Sequence, residues 1–370
     1  MIRQLVLAVA CILALLASSH AQGDDRANRT WQAVVDDAVK FLRKAQAPDG
    51  SFSGDRHIGI TGLVVAGLLE SGAVDRDDPL ITKGLGFIEK QINKQEGHIA
   101  GQNAKIGQRN YTTAVNVLAL AKANNKGQYD AVLKDTIKFL KGLQWDEGQG
   151  IDAKDPRYGG FGYDAKSRPD VSNTQFALDA LRAAGLKTDD EAFKKAAVFI
   201  SRSQNLKSEY QDQPWADKIN DGSFIYNPPA AKPGETAAPM PGYASMTYAG
   251  IKSLIYAGVD KNDFRVQNAL KWIRAHYSME ENVGQPKEKS QSGLYYYYHT
   301  LAKCMDALGI EEFVDAQGGK HKWRQDLLQT LAKRQRPDGS WVNPQDRFME
   351  GDPSLVTGFA LMTLSYCKPK

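Results

Sequence analysis

Three charged residues stand where charge is costly. Asp179, Lys252 and Lys303 each interrupt a run of apolar and small residues, 174–181, 247–254 and 298–305. A charge taken out of water needs a partner, hydration or a functional reason. Two readings stay open. Either two of the three form a buried ion pair and the third is hydrated, or all three make the polar floor of a binding site. His299 lies in the third run and is either a core histidine or a ligand contact and proton carrier. Asp170 directly precedes the first run. Its carboxyl is either a helix N-cap or a catalytic acid.

These residues sit on a repeat, and the repeat sets their positions. The final unit, residues 321–367, reads as a helix, a Gly-rich turn and a second helix. In the first helix Trp323, Leu327, Leu328 and Leu331 recur at helical spacing as one buried stripe. Pro337, Asp338 and Gly339 reverse the chain, and Trp341 packs back as a clip, with Phe224 and Trp145 in similar places. The second helix is apolar or small nearly all round, so it should be buried on most sides. It recurs behind Thr61, Thr113, Thr174, Thr247 and Thr357, with Tyr298 leading the fifth copy. Gly72, Gly185, Gly258 and Gly309 follow four of these helices as C-caps. The chain thus contains about six helix pairs and no competing strand pattern. First helices are expected over 31–46, 79–95, 128–144, 189–204, 261–277 and 321–335. Links between units are short, whereas the links inside them are long. The longest, 145–169 and 205–241, are candidates for a flap or lid.

The formal charge is +4 over 370 residues, which argues against a nucleic-acid partner. Arg3, an apolar stretch over 5–16 and the Ser19-His20-Ala21 triplet predict a signal peptide over 1–21. The mature chain then starts at Gln22, is exported to the periplasm or secreted, and keeps no transmembrane anchor. Residues 22–370 form a single domain. Cys304 and Cys367 remain after cleavage, and a bridge between them is conceivable but strained.

The Gln-x-x-Asp-Gly-Ser-Trp/Phe turns and Thr-x-x-Ala-Leu helices resemble the repeats of terpenoid cyclases (squalene–hopene type) and protein prenyltransferase β subunits. The resemblance spans the mature chain. It implies an all-α fold, an (α/α)6 barrel or α/α toroid, with an inner ring of helices and a central cavity open at one mouth. It implies no cofactor for this sequence. The cyclase Asp-x-Asp-Asp-Thr motif corresponds to Asp170-Val171-Ser172-Asn173-Thr174, so Ser172 stands where the proton donor should be. The zinc ligands of the prenyltransferases correspond to Pro241, Tyr243 and His299, and only the histidine can bind metal that way. No metal is expected.

Placing the family's proton-donor position in the cavity sets the register of every second helix. The first layer then reads Gly59, Tyr111, Ser172, Ser245, Tyr296 and Leu355. The second reads Gly62, Ala114, Gln175, Tyr248, His299 and Gly358. Asp179, Lys252 and Lys303 fall in the third, with Ala66, Leu118 and Met362. The expected site is one-sided. Gln175, Tyr243, Tyr248, Tyr296 and His299 form a polar wall beside Asp170, and small residues leave room opposite. The leading function is an exported barrel protein that binds a small-molecule or isoprenoid-like ligand in its central cavity without standard cyclase or prenyltransferase chemistry. A divergent terpenoid cyclase is a second reading, and the favoured one if the protein is an enzyme. A third is a carbohydrate-active barrel pairing Asp170 with Glu350 or Asp352 across the mouth. A fourth is a scaffold that uses only its outer surface.

Overall fold

The computed structural model describes residues 26–54, 57–101, 108–229 and 238–369. The expected signal peptide, the start at Gln22 and part of the 205–241 connection lie outside the described residues. The described chain is predominantly helical. Its long helices are α1 (Trp31–Ala45), α2 (Ile58–Ser71), α3 (Pro79–Lys90), α4 (Arg109–Ala123), α5 (Asp130–Lys141) and α6 (Val171–Ala183). They continue as α7 (Glu191–Arg202), α8 (Ala244–Tyr256), α9 (Phe264–Ala275), α10 (Leu294–Leu308), α11 (Trp323–Arg334) and α12 (Pro353–Ser365).

Local chemistry sets the ends of these helices. Asp78, Asp190 and Asp263 cap α3, α7 and α9 by accepting from Leu80, Ala192 and Arg265 N–H at 2.8–2.9 Å. Helix α3 stops at Lys90, short of the expected 95. There the Asn93 side chain accepts from the N–H groups of Gln95 and Glu96, both at 3.0 Å, and turns the chain. A small hairpin, Phe313–Val314 with Lys320–His321, departs from the strand-free expectation. Asp315 nucleates it by accepting from Gln317 and Gly319 N–H at 2.9 and 2.8 Å.

Odd-numbered helices bury one stripe. In α1 this is Trp31, Val34, Val35, Ala38 and Leu42. Even-numbered helices are buried nearly all round, as in α2 and α12. They contact one another in cyclic order, α2–α4–α6–α8–α10–α12 and back to α2. Odd helices pack against even ones, as α1 does against α12 and α3 against α2.

One set of bonds recurs between successive units. Gln46, Gln144, Gln204 and Gln335 each end an odd helix. Each side-chain amide donates to a glycine carbonyl in its own turn and to a carbonyl near the start of the next odd helix, at 2.9–3.2 Å. The turn glycine lies against that next helix. A Cβ on Gly159 would sit 1.9 Å from the Lys195 carbonyl oxygen, and one on Gly339 would sit 2.1 Å from that of Asp37. Both glycines are left-handed, with φ of +86° and +91°.

The leading threonines complete the set. Thr61, Thr113, Thr174 and Thr247 accept from the N–H of Phe52, Ile99, Phe161 and Phe224 at 2.9–3.2 Å. In the fifth unit Tyr298 takes over, donating to the Met279 carbonyl at 2.6 Å. Trp341 is fully buried and donates to the Leu331 carbonyl at 2.8 Å, as a clip on its own helix. Cys304 and Cys367 are both buried and free, with no bridge between them. Among the described residues, no helix is long and apolar enough to cross a membrane.

Candidate functional site

A cavity of about 310 Å³ opens at the N-terminal ends of the even helices. All six first-layer positions line it: Gly59, Tyr111, Ser172, Ser245, Tyr296 and Leu355. The long intra-unit loops add Tyr163, Tyr226, Tyr243, Gln285 and Phe348, so these loops gather at one mouth. Every unit contributes. The lining is largely apolar and includes five tyrosines and two phenylalanines, and among the described residues it contains no Lys or Arg.

Among the described residues beyond the first layer, only Leu63 of α2 and Phe359 of α12 extend the lining of the cavity. None of Gly62, Ala114, Gln175, Tyr248, His299 and Gly358 lines it. The glycines give α2 close approach to its neighbours and leave no room for a ligand. A Cβ on Gly62 would meet the Asn116 side chain at 2.2 Å, and one on Gly67 would meet the Gly358 carbonyl oxygen at 2.9 Å. His299 is buried between aromatic rings, with centroids 6.5 Å from Phe176 and 6.0 Å from Phe359. Burial, with Lys303 nearby, pushes its pKa down to about 3, so it stays neutral. Gln175 donates to the Tyr296 hydroxyl from behind the wall. Tyr248 is buried against Tyr297, ring centroids 5.8 Å apart. Of the expected polar wall, only Tyr243 and Tyr296 reach the cavity.

The three charged residues form a closed unit below. Lys252 Nζ lies 2.6 Å from one Asp179 oxygen and Lys303 Nζ 2.8 Å from the other. The side chains of Asp179 and Lys252 are 1% and 0% exposed. Neither open reading survives intact. No third charge is left to water, and none of the three lines the cavity. Burial opposes all three charges, yet the two lysines hold Asp179 below its usual range and Asp179 holds Lys303 high. Burial prevails at Lys252 and pushes it down to about 8.

The carboxyls at the mouth are occupied by helix ends. Asp170 is buried and caps α6, accepting from the Asn173 N–H at 2.7 Å and the Asn173 side chain at 2.8 Å. Asp352 caps α12 through Ser354 and Leu355 N–H at 2.8 and 3.1 Å. Glu350 lines the cavity and caps α10 from another unit. One of its oxygens accepts from Tyr295 and Tyr296 N–H, both at 2.9 Å, and the other from Asn343 at 2.6 Å. Burial outweighs these bonds and pushes Glu350 up to about 7 and Asp170 up to about 6. An unusual backbone aims Glu350. Phe348 and Met349 before it both have left-handed φ, +66° and +65°, although neither is glycine.

Most polar lining groups are already bonded within the protein. Asn282 accepts from Ser245 N–H at 2.9 Å and donates to its hydroxyl at 3.0 Å, and Ser292 donates to Gln345 at 3.0 Å. What faces the space is mainly ring surface, with the hydroxyls of Tyr111 and Tyr243 free of protein hydrogen bonds among the described residues. Sequence reasoning missed Tyr163, Tyr226 and the capping role of Glu350. The Gly- and Tyr-rich character of 145–169 was the available signal for Tyr163. No local pattern marks the other two. No family model matches the chain, and no curated protein matches it.

Proposed function

We propose that the chain is an exported (α/α)6 barrel of the terpenoid-cyclase and prenyltransferase repeat class that binds a small molecule in its central cavity. The observation that carries this reading is the aromatic cavity at the N-terminal ends of the cyclically packed even helices. A largely apolar concavity with few free polar groups suits a compact, mostly apolar ligand. Ser172 faces that space at the register where a cyclase acid would stand, and a hydroxyl cannot protonate an alkene. Glu350 is a poor substitute, because its oxygens already accept from three N–H donors. Binding therefore takes precedence over acid-initiated cyclisation. The saturated Asn282, Ser245 and Ser292 cluster speaks against a polyhydroxyl ligand, which would need free donors and acceptors.

The test is mass spectrometry of small molecules extracted from the purified full-length protein. A single compound near equimolar amount, lost when Leu355→Trp fills the cavity, is the expected result. An empty extract, together with no thermal shift from terpenoid, fatty-acid and amine panels, would remove the reading.

A further inference from the structure

Among the described residues the cavity lining carries one carboxyl group, Glu350, and no Lys or Arg, while Arg347 stacks on the lining ring of Phe348, 5.1 Å from its centroid. Asp179 shows how this protein treats a buried carboxylate when a cation is available: it surrounds it with two lysines. Glu350 and Asp170 are equally buried, at 1% and 2% exposure, yet no Lys, Arg or His among the described residues lies within ion-pair distance of either. Backbone and amide N–H groups hold them instead. Five tyrosines and two phenylalanines share the lining with Glu350, and aromatic ring faces carry negative potential. Tyr296 and Phe359 pack edge to face, with centroids 6.1 Å apart and planes at 83°. Tyr111 and Tyr243 belong to the same lining.

An anionic ligand finds no Lys or Arg in the described lining. A neutral one uses the rings but gains nothing from the Glu350 carboxylate. We propose that the cavity selects an organic cation, a substituted ammonium on an apolar body, with its charged head against Tyr296, Phe359 and the Glu350 carboxylate. This inference rests on the cavity being a binding site, as argued above, and names the class of ligand.

The experiment uses two probes of one shape. Phenyltrimethylammonium and its uncharged carbon isostere tert-butylbenzene are titrated separately into the full chain and followed by ligand NMR. At about pH 8 the cation should bind about tenfold more tightly than the isostere. The preference should shrink to about twofold near pH 5.5, where Glu350 is protonated. The other titratable groups facing the cavity are His57, Tyr111, Tyr163, Tyr226, Tyr243 and Tyr296, with Asp170 behind Tyr226. His57 also lines the cavity, so Glu350→Gln isolates the contribution of the carboxylate. It should lower the preference at about pH 8 to about twofold and leave isostere binding unchanged. If that variant does not fold, Tyr243→Leu replaces it and should reduce cation binding about threefold or more. Equal binding of both probes at the higher pH overturns the inference and leaves the cavity reading standing. So does a preference untouched by pH and by the variants. Failure of both probes to bind overturns the inference and counts against the cavity reading as well.

Discussion

The side-chain amide of Gln335 donates to the main-chain carbonyl of Val34, 2.9 Å away and 301 positions earlier in the chain. Gln144 makes the same bond to Ala192 in the adjacent unit, also at 2.9 Å. The contact that joins neighbours within the chain therefore also joins its two ends.

Equivalent bonds predict equivalent losses. Gln335→Ala strips two buried carbonyls, those of Val34 and Gly339, of their donor. The cost should be about 2–3 kcal/mol, and Gln144→Ala should cost about the same. Urea unfolding measures both. A harmless Gln335→Ala beside a damaging Gln144→Ala would mean that the end-to-end contact is not structural.

The buried triad makes an asymmetric prediction. Asp179→Asn leaves two buried lysines facing each other without an ion-pair partner, Glu70 being the remaining acid nearby, and should cost about 3–5 kcal/mol. Lys303→Met leaves a neutral Lys252–Asp179 pair and should cost about 2 kcal/mol or less. Thermal unfolding of the two variants settles the order. If Lys303→Met proves the worse, the charge argument is wrong.

Stability should fall as pH rises from about 4.5 to 7, because of Glu350. Its folded pKa is raised to about 7 from 4.5, so between those values the native state keeps a proton that the unfolded chain has released. The contribution is fully present below the unfolded value and lost on passing the folded one, to an extent of roughly 1–3 kcal/mol. Asp170 acts in the same sense over a lower window, from 3.8 to about 6. The wild-type curve and that of Glu350→Gln should converge at low pH and separate towards neutrality. Parallel curves would count against the assignment.

Thiol counting tests folding and export together. Cys304 and Cys367 are buried, and burial pushes the Cys367 thiol up to about 12 and the Cys304 thiol up as well. Neither should react with an aromatic disulfide reagent in the native state. If the expected signal peptide is removed, Cys11 leaves with it, and denatured protein isolated from its natural compartment shows two thiols. Three thiols, the number in the whole sequence, would mean that it does not leave.

Ser172 carries the negative chemical prediction. Squalene incubated with the purified protein should yield no cyclised product above a heat-treated control. Product formation would move the divergent-cyclase reading to first place.

The helices were legible in the sequence from short-range regularity, and the first layer once the position matching the cyclase proton donor had set the register. Every leading Thr or Tyr sits one helical register from its neighbour's, so a position two residues earlier in each unit faces the same space. The second layer was not legible. Whether it is open depends on how Phe176 and Phe359 fold across the axis and enclose His299, and spacing says nothing about that. The small residues at Gly62 and Gly358 looked like room for a ligand, yet they let α2 approach α4 and α12. Glu350 was hidden for another reason. It reaches the start of α10 from a loop more than fifty residues later, through two left-handed residues of ordinary type.

The cyclic packing of the even helices also bears on how the molecule opens. In an open stack of helix pairs, each end unit has one bare flank and frays first. Here α12 seats against α2, so each even helix is flanked on both sides. Nothing is left to peel from. Amide hydrogen exchange in α2, α6 and α10 should then report a single opening free energy, like a hoop that holds everywhere until it gives way at once.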